Sequence, residues 1–202
     1  MSNRGIIGYV GLEDWWDRDL MEIDRASIKS LYSPLVGETG ELDSGCVVSR
    51  TDSEGDPVSQ LRVITDLLHS KLPYDTIQKL ITKGASLARN CQKLIDAHFF
   101  LGSVITIEYR HRSTKEGALD RTVLACQWQI AISEEMGSLF LRSPLMNGFI
   151  PSHHGYNQMI SILEKQKNFS EAISLCQQAK SQGWQGRWNE DIERLSAKAR
   201  KT

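Results

Sequence analysis

The sequence predicts an all-α protein built from stacked antiparallel helix hairpins and closed by a C-terminal capping helix. Three observations predict it. From Val58 onward apolar residues recur every three or four positions, the period of one face of a helix. Short polar turns divide these stretches into pairs. The pairs also overlay one another: moved back by 95 residues without a gap, Tyr156 falls on Leu61, Met159 on Ile64, Leu163 on Leu68, Phe169 on Tyr74, Ala172 on Ile77, Cys176 on Ile81 and Ala179 on Gly84.

Composition sets the outer limits. A chain of 202 residues can bury one good core, as one domain or two closely joined ones. No apolar run approaches the ~18 residues that a membrane-spanning helix needs. The start, MSNRGIIGYVGLEDWWD, lacks the long apolar centre of a secretory signal, so a cytoplasmic location is expected. The four cysteines (Cys46, Cys91, Cys126 and Cys176) are scattered, and Cys126 and Cys176 read as small buried hydrophobes. The net charge of -1 conceals an asymmetry: residues 1–60 carry 12 acidic and 5 basic side chains, and the rest of the chain carries the basic excess. That excess is diffuse, which argues against nucleic acid as a partner.

In chain order, residues 1–57 read as an acidic N-terminal helix and a mobile loop packed on the stack. Leu20, Ile23, Ile28, Leu31 and Tyr32 have helical spacing that ends before Pro34, and Trp15 and Trp16 precede that helix at the edge of a core. Residues 36–57 are rich in Gly, Asp, Glu and Ser and read as the loop, with only CVV hinting at a strand. Residues 58–202 read as the helical-repeat domain. Val58, Leu61, Ile64 and Leu68 form one helical face. Ile77, Leu80, Ile81, Gly84, Leu87 and Ala88 form the next, with Asp75 as its N-cap. A helix from about Cys91 to His111 follows; a strand over Val104–Tyr109 competes with it, but the run is long and has no breaker. ALDRTVLACQWQIAI gives another helix, and residues 134–152 interrupt the pattern with glycines and prolines. HHGYNQMISILEKQKNFSEAISLCQQAK then gives a helix pair about KQKN, capped by Ser152 with one histidine packed at the turn. The closing helix buries Trp188, Ile192 and Leu195, with Ala199 as a further candidate. The units lie near 58–88, 92–131 and 153–183, with the cap at 187–200.

The last unit resembles the tetratricopeptide repeat. Tyr156, Met159, Ile160, Leu163, Phe169, Ala172, Cys176 and Ala179 occupy that family's anchor positions, and Trp184 stands where a proline is usual. Ile160 replaces a small residue and Cys176 an aromatic, and the units are not tandem at the family's spacing of about 34 residues. With its DWW front and HHGY back, the whole chain is also similar to a bacterial family of unassigned function that ends in such a unit. The resemblance implies a right-handed solenoid whose first helices line a groove for a peptide or partner helix. Position by position, that groove takes Arg62, Asp66 and His69 from the first unit and Asn157, Ser161, Glu164 and Lys165 from the last. From the middle unit it takes Thr106, Tyr109 and Arg110.

Catalytic signatures are missing. There is no nucleophile elbow, phosphate loop or dinucleotide fingerprint, and adjacent His153 and His154 point different ways on a helix, so no metal or cofactor is expected. The leading expectation is a non-catalytic protein–protein interaction module, an adaptor or regulator. The alternative is an enzyme or small-ligand-binding protein with a pocket between the N-terminal segment and the stack, using His98, Tyr109 and Arg110. A further reading has LFLRSPLMNGFI (139–150) either plugging the stack or pairing the chain with a second copy.

Overall fold

The computed structural model describes residues 4–32, 42–47, 49–51 and 55–201. Among them the regular structure is helical: α1 (Gly5–Tyr9), α2 (Glu13–Arg18), α3 (Glu22–Leu31), α4 (Gln60–Leu68), α5 (Tyr74–Ala88), α6 (Leu94–His111), α7 (Ala118–Ala131), α8 (Ser133–Arg142), α9 (His154–Lys165), α10 (Phe169–Ser181) and α11 (Trp188–Ala199). β-Pairing among the described residues is limited to isolated bridges, and Val104–Tyr109 is helix. No helix among them is long and apolar enough to cross a membrane. Much of the expected mobile loop (36–41, 48 and 52–54) lies outside the described residues. The chain divides into two compact units, Met1–Ser103 and Val104–Thr202.

In the first unit α4 packs on α5, burying Leu61, Ile64, Leu68, Ile77 and Leu80. Ser59 caps α4 by accepting the Arg62 N–H at 3.0 Å and donates to the buried Asp96 carboxylate at 2.6 Å. α3 is tied to α5 through Asp24, which accepts from the Met21 N–H at 3.0 Å, from the Thr76 hydroxyl at 2.7 Å and from the Lys79 ammonium. Burial works to raise the Asp24 carboxyl, but these three donors outweigh it and hold it below its ordinary value. Gly84 brings α5 against α6: a Cβ there would stand 2.2 Å from the Phe100 ring. Small size is therefore required at this position.

In the second unit α7 packs on α9, α9 on α10, and α10 on α11. α10 can serve two neighbours because its buried positions Ala172, Cys176 and Ala179 are small and fully enclosed. α11 is anchored by Trp188 and Leu195. Burial of each such side chain contributes roughly 1.5–3 kcal/mol. The Trp188 indole N–H also donates to the Trp184 carbonyl at 2.6 Å. A buried polar hub fixes the start of α9. The Gln182 side-chain oxygen accepts from Ser133 (2.8 Å), Tyr156 (3.0 Å) and Trp184 (3.1 Å), while Gln129 accepts the Gly155 N–H at 2.7 Å. Glu108 of α6 is fully buried against Arg121 of α7, with Nε 3.0 Å from the carboxylate.

Several sequence expectations are corrected. Trp15 and Trp16 precede α3 and are buried as expected, but in a helix of their own, α2. Ile23 and Leu31 lie exposed on α3, so only Leu20, Ile28 and Tyr32 of that stripe face the core. Asp75 sits in the first turn of α5, where its charge meets the positive helix end, and Pro73 takes the cap position. α6 begins at Leu94 rather than Cys91. Residues 133–142 form α8, for Gly137 is accommodated inside that helix. His153, not Ser152, caps α9: its Nδ1 accepts the Tyr156 N–H at 3.2 Å. Ala199 is exposed. In 139–150, Phe140 and Ile150 are seated while Leu141, Leu145 and Phe149 face solvent.

Candidate functional site

α9 is amphipathic, and its outward stripe is the centre of the site. Tyr156, Met159, Ile160 and Leu163 turn into the core. Asn157 and Lys165 remain exposed, and Ser161 and Glu164 half-buried, at spacings that keep them along one side. α6 flanks this stripe. Thr106 Oγ1 lies 3.1 Å from His154 Nε2, and the Tyr109 hydroxyl accepts from Lys165 Nζ at 2.7 Å. The Arg112 guanidinium covers the Tyr109 ring at 4.0 Å. Burial alone would raise the Tyr109 phenol; the hydrogen bond and charge of Lys165, helped by Arg112 and Ser161, bring it below its ordinary value. Burial lowers the His154 imidazole, which favours its neutral form at pH 7.

α11 contributes the other wall. Glu164 binds the Arg194 guanidinium and accepts from Lys198 Nζ at 2.7 Å, and Arg194 also reaches Asp191 at 2.7 Å. Burial works to raise the Glu164 carboxyl, yet the two cations outweigh it and hold it low. Between α9 and α11 lies a cleft of about 290 Å³, with Asn157 and Ser161 on one side and Arg187, Trp188 and Asp191 on the other. Ser161 thus belongs both to this cleft and to the Tyr109 cluster.

The second unit therefore brings together Thr106, Tyr109, Asn157, Ser161, Glu164 and Lys165. Arg110 is exposed on the last turn of α6 and pairs with none of the described residues. In the first unit Arg62, Asp66 and His69 share one side of α4. Arg62 Nε lies 3.3 Å from Asp66, and His69 Nε2 lies 3.2 Å from the Ser103 hydroxyl. Burial raises the Asp66 carboxyl despite the opposing charges of Arg62, His69 and Arg50. His98, expected at the alternative pocket, is a buried α6 residue with its ring 5.6 Å from that of Phe99.

Arg112, Arg187, Asp191, Arg194 and Lys198 were not anticipated as site residues. Their signal was available only in part: a final helix with one charged face was legible, but not that this face would be turned towards Glu164. A wider cleft of about 430 Å³ in the first unit, beside Trp15, contains Lys79 and Lys83, of which Lys79 is already engaged by Asp24. Among the described residues no group of three His, Cys, Asp or Glu side chains could hold a metal ion. No protein-family model, curated protein or solved structure matches the chain.

Proposed function

We propose that the chain is a non-catalytic protein–protein interaction module, an adaptor or regulator, that receives a peptide or partner helix along α9. In this reading the second unit is tetratricopeptide-like. α6, α9 and α11 play the part of first helices, α7 and α10 that of second helices, and α8 is an insertion. The packing of α7 on α9, α9 on α10 and α10 on α11 supports this order, as do the small residues Ala172 and Ala179. One observation carries the proposal: α9 offers a polar stripe with walls on both sides, and Asn157 stands in it with its amide uncommitted among the described residues. A primary amide with flanking hydroxyl and cationic groups suits recognition of peptide backbone and side chains. The free thiols Cys46, Cys91, Cys126 and Cys176 suit a reducing compartment, and we assign the cytoplasm.

The test is quantitative affinity capture with the full chain and with an Asn157→Arg/Lys165→Glu variant of unchanged circular dichroism. Proteins captured by the first and lost from the second support the reading. Identical captured sets from both would remove α9 as the binding surface.

A further inference from the structure

We infer that the partner segment recognised along α9 is acidic; this rests on the binding role proposed above and specifies its chemistry. The charges divide into two groups. Beside α11, Arg194 and Lys198 are balanced by Glu164 and Asp191, and Arg187 lies 3.7 Å from Glu190. Beside α6 there is no such balance. Arg110, Arg112 and Lys165 meet no carboxylate among the described residues: Arg112 donates to the Tyr109 carbonyl and covers its ring, and Lys165 donates to its hydroxyl.

The obvious internal counter-charge is the helix ends, because Arg110 lies in the last turn of α6 and Lys165 in that of α9. Each end supplies about half an elementary negative charge, so two ends offset about one of three cations. About two positive charges remain, and two of the three cations, Arg112 and Lys165, sit on Tyr109, whose hydroxyl can orient a carboxylate.

A polypeptide fits this surface better than a nucleic acid. Glu164 and Asp191 line the same cleft as Ser161. A duplex brings one negative charge per ~1.7 Å and would meet them along its path. A peptide can place its acids against Arg110, Arg112 and Lys165 and present uncharged residues to the rest. α9 has 12 residues, so it extends about 18 Å. That is the reach of about five or six extended residues.

A library of random 12-residue peptides displayed on phage, panned on the immobilised full chain and counter-selected on an Arg110→Glu/Lys165→Glu variant, tests the inference. Arg110→Gln serves as a milder second variant, since Arg110 makes no contact whose loss would unfold the protein. The expected result is that peptides retained by the unmodified chain are enriched in Asp and Glu. A synthetic consensus should lose roughly 2- to 30-fold in affinity for the double variant, the range for two exposed ion pairs. Replacing its acids with Asn and Gln should produce a similar loss. Site-dependent peptides that are neutral, apolar or basic would overturn the acidic assignment and leave the binding surface standing. Failure to select any site-dependent peptide would overturn both. Tighter binding of a 12-nucleotide mixed-sequence single strand than of the consensus peptide would transfer the assignment to nucleic acid.

Discussion

Replacing Arg121 with methionine takes a guanidinium away from a buried carboxylate. The Glu108 carboxylate is wholly enclosed, and Arg121, whose side chain is 36 % exposed, brings its Nε to 3.0 Å. The guanidinium is held in place by a second bond, at 3.2 Å to the Glu116 carbonyl, and by the left-handed turn at Gly117 (φ 68°) around which it folds. Arg121→Met retains most of the aliphatic volume but removes the positive charge from an enclosed carboxylate. Breaking one side of such a pair costs about 3–5 kcal/mol. For a chain of this size that corresponds to a fall in Tm of roughly 6–20 °C. The double variant Glu108→Leu/Arg121→Met removes both charges and should recover most of the loss, since apolar replacement of a buried pair is often neutral. Urea denaturation followed by circular dichroism provides the free energies of the wild type, both single variants and the double variant. A change below about 0.5 kcal/mol for Arg121→Met, or a double variant as unstable as the single one, would falsify the account of Glu108 as a charge that depends on Arg121.

Three further outcomes are expected. Gly84→Ala should destabilise the first unit by about 1–3 kcal/mol through overpacking on Phe100, exceeding the helix-propensity gain of up to about 1 kcal/mol; additional Phe100→Leu should restore stability, as read by urea titration. Asp24 has a depressed carboxyl in the folded state, so its contribution is complete above the ordinary aspartate value and disappears as the pH falls below about 4. An Asp24→Asn variant should therefore be less stable at pH 7 and show a shallower loss on acidification, and an unchanged acid limb in pH-dependent melts would contradict this. In native alkylation followed by mass spectrometry, exposed Cys46 should react first and half-buried Cys91 later. Cys126 and Cys176, pushed by burial up to about 12 and about 11, should react only after unfolding.

The helices around α9 and α10 were legible because their apolar residues have an unambiguous 3.6-residue period. The shared smallness of Ala179 and Gly84 could also be read from the overlay of one helix pair on another. α8 was hidden because Gly137 and the following Pro144 suggest a break, whereas the helix simply contains the one and ends before the other. The cap of α9 departs from the usual chemistry. Ser, Thr, Asn and Asp are the usual acceptors, but a neutral imidazole can accept through Nδ1, and His153 does so. For the site, the resemblance to the tetratricopeptide repeat points to Tyr109 and Lys165 separately but cannot pair them, since they stand 56 positions apart. It also placed Glu164 in an open groove, although the cations of α11 claim that carboxylate.

The excursion between α8 and α9 is firmly held at both ends and loose between them. Just before it Phe140 meets the Trp184 ring edge-on at 5.9 Å, and near its far end Ile150 rests against Gly183 and the Gln185 N–H donates to the Pro151 carbonyl at 3.2 Å. Between these fixings, Asn147 (φ 46°) and Gly148 (φ 75°) turn the chain in open solvent. Extra residues introduced there lengthen only a protruding bend and leave every buried clasp intact. An epitope or a fluorescent reporter grafted between Asn147 and Gly148 would thus give a handle on the protein that does not disturb how its helices assemble.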